Sequence, residues 1–571
     1  MGGRKTIVVT SLWLGMGSAG CGDDGPGMGT TSDPSTGPEA TVGSATGPGS
    51  GGSETAVVDD TQGSSTGEPT SGFGPIGPLV GPEGEGSFRF GAASAATQIE
   101  DANPTVDWYP WSLPVAEGGL GHGTFVGDAA RGYSMALQDV GLMSELGLDA
   151  YRFSVEWARI EPQRDVIDED ALAHYDAFID ELLAAGIRPM ITVHHFSNPT
   201  WVDDPADPDC ATGPSDANLC GWNHPSGGPQ VAEELAEHAA LLAERYGDRV
   251  DEWATLNEPM NYLLASYGLG SFPPGKSGLI SDVDGVFVAA ARNFVAGHAA
   301  VYVALKEGDT TDADGDGVAA AVGLTKGVVE WVPARANAVS DHPDDLAAVE
   351  RIDYAYHRLF VESIRQGGFD PGLDGELEEP HPEWAGTLDW LGVQYYTRAG
   401  VTGQTSLLPL VNVTPCFGDI DFGACVPPLD PSYTVPAMRY EHYPQGLYSR
   451  LVDFSARWPD LPLTVTESGI ATTVGERRAE AIVRALESIA RAQAEGVDVR
   501  GYYHWSLYDN YEWAEGFEPR FGLFTVDYAG GYARVPTLGV EVLAQIAGTR
   551  ELGDELRATY GGEGPMTPEP R

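Results

Sequence analysis

Basic residues are scarce in this chain. Its 571 residues include 32 Lys and Arg against 84 Asp and Glu, a formal charge of −52. So acidic a surface excludes nucleic acid and anionic membrane surfaces as electrostatic partners and suits a neutral ligand. Long apolar runs are lacking too. The N-terminal stretch, residues 7–17, is too short to span a bilayer. No Gly-x-Gly-x-x-Gly turn follows a strand-like segment, so nothing points to dinucleotide binding. Cysteine occurs five times, without a Cys-x-x-Cys pair or nearby paired histidines. Neither a zinc site nor a cofactor is therefore expected.

What is present begins with export signals. Arg4 and Lys5 precede the apolar stretch, and the small residues Ser18, Ala19 and Gly20 precede Cys21. Residues 1–20 read as a removable signal. They resemble a bacterial lipoprotein signal, in which Cys21 becomes the lipidated first residue, although Ser18 stands where Leu is usual. Ordinary secretion, with Cys21 removed or unpaired, is the other reading. Residues 21–86 are dense in Gly, Ser, Thr and Pro. Up to Glu85 they hold ten acidic residues, no basic ones and one aromatic, Phe73. Such a segment buries too little apolar surface to offset its chain entropy, and is expected to be a disordered tether. The expectation is an exported protein, anchored to the cell envelope through Cys21 or else secreted, that meets membrane only through that anchor. Cys210 with Cys220, and Cys416 with Cys425, form two close pairs in loop-like stretches. In an exported chain they predict two local disulfides, each contributing about 2–3 kcal/mol.

From residue 87 the chain alternates between strand-like and helix-like segments. Strands are predicted at 88–92, 150–153, 189–194, 252–255, 319–323, 388–394, 463–466 and 499–505. Helices are predicted at 134–146, 170–184, 231–246, 286–306, 346–366 and 476–495. Eight strands alternating with helices predict a (β/α)8 TIM barrel: one catalytic domain, 87–548, with enlarged βα loops. An open doubly wound sheet is the weaker alternative. Residues 549–571 contain Gly and Pro and are expected to form a loose tail.

Barrel chemistry sits at the C-terminal ends of strands. Two runs there, Thr255-Leu256-Asn257-Glu258-Pro259 and Val465-Thr466-Glu467-Ser468-Gly469, each deliver a carboxylate. Two carboxylates across a glycosidic bond can divide the work of acid/base and nucleophile. Arg152, His194, His195, Tyr395, Tyr396 and Trp505 end other predicted strands. Singly, each has a structural explanation; together they mark one rim.

These motifs resemble glycoside hydrolase family 1, the β-glucosidase and β-galactosidase group, over roughly residues 88–548. Residues 88–100 (FRFGAASAATQIE) match the opening strand and carry Gln98. Residues 151–162 carry Arg152, residues 193–201 carry His195, and residues 389–398 (DWLGVQYYTR) carry Tyr396. Residues 501–523 supply Trp505, Glu512 and Trp513. The resemblance implies that Glu467 is a nucleophile forming a covalent glycosyl-enzyme and that Glu258 is the acid/base. Arg152 and Tyr396 are implied supports of Glu467, and Asn257 a contact to the sugar 2-hydroxyl. Gln98, His195, Glu512 and Trp513 are implied hydroxyl contacts, with Trp505 as a platform under the sugar ring. Four departures concern substrate preference: Gln394 replaces Asn, Ser468 replaces Asn, Phe196 replaces Trp and Asn198 replaces Leu. The implied substrate is a small-molecule β-glycoside or oligosaccharide with an unphosphorylated glycone, since Glu512 would repel a 6-phosphate. A non-hydrolytic sugar-binding protein and a transglycosylase remain alternatives on the same barrel.

Residues 312–317 (Asp-Ala-Asp-Gly-Asp-Gly) resemble the first half of a calcium loop, but Gly323 stands where the bidentate Glu belongs. The segment is read as a solvated acidic turn at the barrel bottom, with structural calcium as the alternative.

Overall fold

In a computed structural model of the protein, the described residues are 80–81, 84–85, 87–416 and 421–570. The signal, nearly all of the tether, and Cys21 lie outside them. Eight parallel strands close on themselves: β1 (Arg89–Ala93), β2 (Ala150–Ser154), β3 (Arg188–His194), β4 (Glu252–Asn257), β5 (Ala321–Arg335), β6 (Trp390–Thr402), β7 (Leu463–Ser468) and β8 (Val499–Trp505). Each pairs with its sequence neighbour, and β8 returns to β1, which closes the (β/α)8 barrel. Strands β2 and β7 are buried at every residue, as parallel strands covered by helices must be.

The outer ring is α1 (Ala136–Leu146), α2 (Glu169–Ala184), α3 (Gly227–Tyr246), α4 (Ala289–Gly308), α5 (Pro343–Asp353), α6 (Leu359–Gln366), α7 (Gln445–Arg457), α8 (Gly475–Ala494) and α9 (Leu538–Thr549). The helix predicted over 346–366 is two helices joined by a π-helical turn, Tyr354–Arg358. Helix α7 was not anticipated, although Leu447, Leu451 and Phe454 mark its buried face at helical spacing. Strands β5 and β6 run far past their expected ends and stay paired to Val401 and Pro333, above the barrel rim. Cys210–Cys220 and Cys416–Cys425 are bonded pairs, with Cα atoms 5.5 and 4.7 Å apart, in the loops after β3 and β6.

The acidic turn lies at the N-terminal end of β5. Asp312 accepts from the amides of Gly315 and Gly317, Asp251 accepts from Ala313 and Asp314, and Asp314 pairs with Arg188. Backbone amides and two arginines, Arg188 and Arg89, thus pair with these carboxylates.

The segment after residue 548 is not loose. It forms α10 (Asp554–Tyr560) and a clasp over α8. Arg484 and Arg477 on α8 donate to the carbonyls of Gly564 (2.8 Å) and Thr567 (3.0 Å), and Thr567 N donates to Glu480 (2.8 Å). Arg557 pairs at 3.1 Å with Glu487, whose side chain is almost wholly buried. Buried charges on α8 need these partners, which a local reading of the tail's Gly and Pro does not reveal. Arg557→Met is expected to strand Glu487 and cost about 3–5 kcal/mol, read as a lower thermal unfolding midpoint. An unchanged midpoint would refute the clasp's role.

Candidate active site

Strand ends bring the predicted residues to one cavity, open to solvent, at the C-terminal rim. Gln98, His195, Asn257, Glu258, Tyr396 and Glu467 line it, together with Trp505, Glu512 and Trp513. Of the predicted supporting residues, Arg152 alone lies behind this wall, with no exposed surface.

Glu467 is the most heavily supported group. Arg152 Nη1 donates to its Oε1 at 2.6 Å, Gln394 Nε2 to the same oxygen at 2.8 Å, and Tyr396 Oη to Oε2 at 2.8 Å. Burial raises its pKa, while Arg152 and Tyr396 oppose the rise by stabilising the anion. Glu258 is buried as well but has no direct cation partner among the described residues; Asn261 Nδ2 donates to it at 2.5 Å. Burial, then the charge of Glu467, pushes Glu258 up to about 8. Burial and mutual repulsion favour one proton shared by the pair, and the Arg152 clamp on Glu467 favours Glu258 as its holder.

Glu258 adopts a left-handed backbone conformation (φ 39°), unusual for a residue with a side chain, directly after β4. Its amide donates to Thr325 O at 2.9 Å on β5, which helps hold this turn. The neighbouring strand makes room: a Cβ on Gly327 would lie 3.0 Å from the Glu258 carboxyl carbon and 2.7 Å from Asn261 Nδ2. Asn257 Oδ1 accepts from Arg152 (2.7 Å), Gln394 (2.8 Å) and Thr325 (3.0 Å), which leaves its Nδ2 to the cavity.

The opposite wall is aromatic. His195 stacks with Trp505 and with Trp513, with centroids 6.0 and 6.1 Å away. Burial, then Arg152 and His194, holds His195 well below its ordinary pKa, so it is a neutral donor or acceptor. Gln98 Nε2 donates to Tyr511 O (2.9 Å) and Glu512 (3.2 Å), while its buried Oε1 has no partner among the described residues. Burial and then Glu467 push Glu512 up to about 8. Phe196 joins this aromatic wall. Asn198 is spent outside the cavity on Asp107 (3.1 Å) and Tyr262 (2.8 Å).

Four contributors escaped the sequence reading. Gln394 appeared only as a departure from the family pattern, yet it bridges Glu467 and Asn257. Asn261 follows Glu258 by one helical turn, a spacing that could have flagged it. Thr325 and Lys326 lie beyond the expected end of β5. Lys326 is buried, donates to Tyr356 O at 2.9 Å, and is lowered to about 7 by burial, against the pull of Glu258.

Comparisons with known proteins agree with this geometry. The profile of Glycosyl hydrolase family 1 matches residues 84–537. A β-galactosidase of Pyrococcus woesei is 29% identical over 520 residues, 82% of this chain and 98% of the relative. A bifunctional β-D-glucosidase/β-D-fucosidase of Bifidobacterium breve is 30% identical over 497 residues, 79% of this chain and 94% of the relative. The structure of a β-glycosidase from Pyrococcus horikoshii superposes with a TM-score of 0.69 at 31% identity, covering 85% of this chain and 99% of that one. The match runs the length of the barrel, through every strand that carries a cavity residue: the chain belongs to glycosyl hydrolase family 1 and is a retaining β-glycosidase.

Proposed function

We propose that Glu467 is the nucleophile and Glu258 the acid/base, acting on β-linked, unphosphorylated glucosides or galactosides. The observation that carries this assignment is the asymmetry of the buried pair. One carboxylate is clamped by a guanidinium, an amide and a phenol; the other holds the proton. Glu258 protonates the glycosidic oxygen as Glu467 attacks the anomeric carbon and forms an ester. Esterification removes the charge of Glu467, so the pKa of Glu258 falls and Glu258 becomes the base that deprotonates the incoming water. Asn257 Nδ2 faces the sugar 2-hydroxyl, a contact that tightens as positive charge grows on the ring. Trp505 lies under the ring, and Gln98, His195, Glu512 and Trp513 bind the remaining hydroxyls. Among the described residues lining the cavity none is Lys or Arg, which supports a neutral glycone over a phosphorylated one.

In the same reading, residues 1–20 are a lipoprotein signal and Cys21 an envelope anchor, with secretion as the alternative. Support comes from the small residues before Cys21, the acidic tether, and the two disulfides, which suit an oxidising compartment.

Glu467→Ala is expected to abolish turnover of aryl β-glycosides. Glu258→Ala is expected to lower it by about 10²–10⁴-fold for poor leaving groups, with recovery on activated leaving groups or added azide. Equal losses in both variants without azide rescue would overturn the assignment. In the wild type, kcat/KM should fall as pH rises through about 8, where Glu258 loses its proton. Gln394→Leu removes a donor to the Glu467 anion, so the acidic limb should move to higher pH and kcat/KM drop by about 10–100-fold. An unmoved acidic limb would show that Gln394 does not support the nucleophile.

A further inference from the structure

One buried carboxyl behind the sugar wall takes no part in the chemistry described above. Glu156 follows β2 and is 2% exposed. The nearest arginine in sequence, Arg159, pairs with Glu100 instead. Burial pushes Glu156 up to about 7, against the pull of its hydrogen bond from Thr97. A buried carboxyl without an ion-pair partner is costly to keep, so the groups that bond to it show what it holds in place.

Two hydroxyls reach Glu156, each from a different loop. Thr97 Oγ1 donates to Oε2 at 2.5 Å. Ser197 Oγ lies 3.2 and 3.3 Å from Oε1 and Oε2, closer than its other acceptor, His195 O, at 3.4 Å. The amide of Ala158 donates to Oε1 at 3.4 Å. Thr97 sits in the short helix after β1, Ala96–Ile99, and immediately precedes Gln98. Ser197 sits in the turn after β3, two residues beyond His195. One carboxyl on the β2 loop thus joins the loops after β1 and β3, and each of these carries a residue assigned to the sugar hydroxyls.

Both loops need an anchor. Between His195 and Ser197, Phe196 has φ 61°, a left-handed conformation that a bulky residue seldom adopts. Trp108 Nε1 donates to the Phe196 carbonyl at 2.9 Å, and Ser197 ties the far side of the turn. The buried Nδ1 of His195 has no partner among the described residues, so the imidazole is placed by this backbone and by ring stacking. Gln98 is held through Nε2, while its Oε1 also lacks a partner among the described residues. Polar atoms left open for a substrate are placed by whatever fixes the backbone behind them.

We propose that Glu156 is a positioning residue of the sugar site: without touching substrate, its carboxyl sets Gln98 and His195 relative to one another through Thr97 and Ser197. This inference rests on the assignment of Gln98 and His195 as hydroxyl contacts. A residue acting in this way affects the hydroxyls that those two side chains bind and leaves the 2-hydroxyl, assigned to Asn257, alone.

The test compares 4-nitrophenyl β-glucoside with its 2-, 3-, 4- and 6-deoxy analogues. The loss of kcat/KM on removing a hydroxyl measures how well that hydroxyl is held. Gln98→Ala and His195→Ala identify, by the losses they shrink, the hydroxyls that each residue binds. Thr97→Val should shrink the loss at the Gln98 position, and Ser197→Ala at the His195 position, each by about tenfold. Glu156→Leu should shrink both and lower kcat/KM on the parent glucoside by about 10²-fold, with the 2-deoxy loss as in wild type. Glu156→Gln, which keeps one acceptor oxygen, should recover about tenfold of that decrease. Deoxy losses unchanged in Thr97→Val and Ser197→Ala would overturn the inference and leave the sugar-site assignment standing. A Glu156→Leu effect spread equally over all four positions marks general damage and would also overturn it. Should Glu156→Leu fail to fold, Thr97→Val and Ser197→Ala decide alone. Gln98→Ala and His195→Ala that shrink no loss would remove the assignment and the inference with it.

Discussion

Arg152 has no exposed surface, and its guanidinium is divided between Glu467 and Asn257. The site depends on this buried ion pair. Taking two charges out of water is costly unless each finds its partner and its remaining hydrogen bonds. Through both terminal nitrogens Arg152 finds such partners from β2, with Thr325 on β5, Gln394 and Tyr396 on β6, and Glu467 on β7 completing the network, while its buried Nε has no partner among the described residues. Closing the barrel brings these strand ends together. The result is one carboxylate held as an anion beside a second, buried carboxyl that must therefore keep its proton.

The surroundings of the acid are shaped by an extension of structure. Strands β5 and β6 continue past the rim, and Gly327 on β5 yields the space that the Glu258 carboxyl occupies. Tyr356, from the π turn between α5 and α6, ties Asn261 from behind.

The barrel was legible because each strand is a short apolar run ended by polar residues, and all eight appear near their expected positions. The catalytic carboxylates were legible for the same reason: TLNEP and VTESG place a Glu where a strand leaves the core. Gln394 was visible only as an anomaly, because nothing local says that its amide reaches across to Glu467. Lys326 and Thr325 were hidden by an expected end of β5 at Gly323; the Thr-Lys-Gly after Leu324 breaks the apolar run, yet the strand continues because β6 pairs with it throughout. The clasp after residue 548 escaped because its partners, Arg477, Arg484 and Glu487, lie on a distant helix, and the tail's own Gly and Pro say nothing of them.

The account rests on Glu258 holding a proton because it is buried and because Glu467 is charged beside it. The most direct measurement is an isotope-edited NMR titration of the Glu258 carboxyl, assigned by its loss in Glu258→Gln, before and after a fluorosugar esterifies Glu467. The account predicts titration near 8 in the free enzyme and a clear fall once the ester forms. A Glu258 that titrates in the ordinary carboxylate range, or that does not respond to esterification, would contradict it.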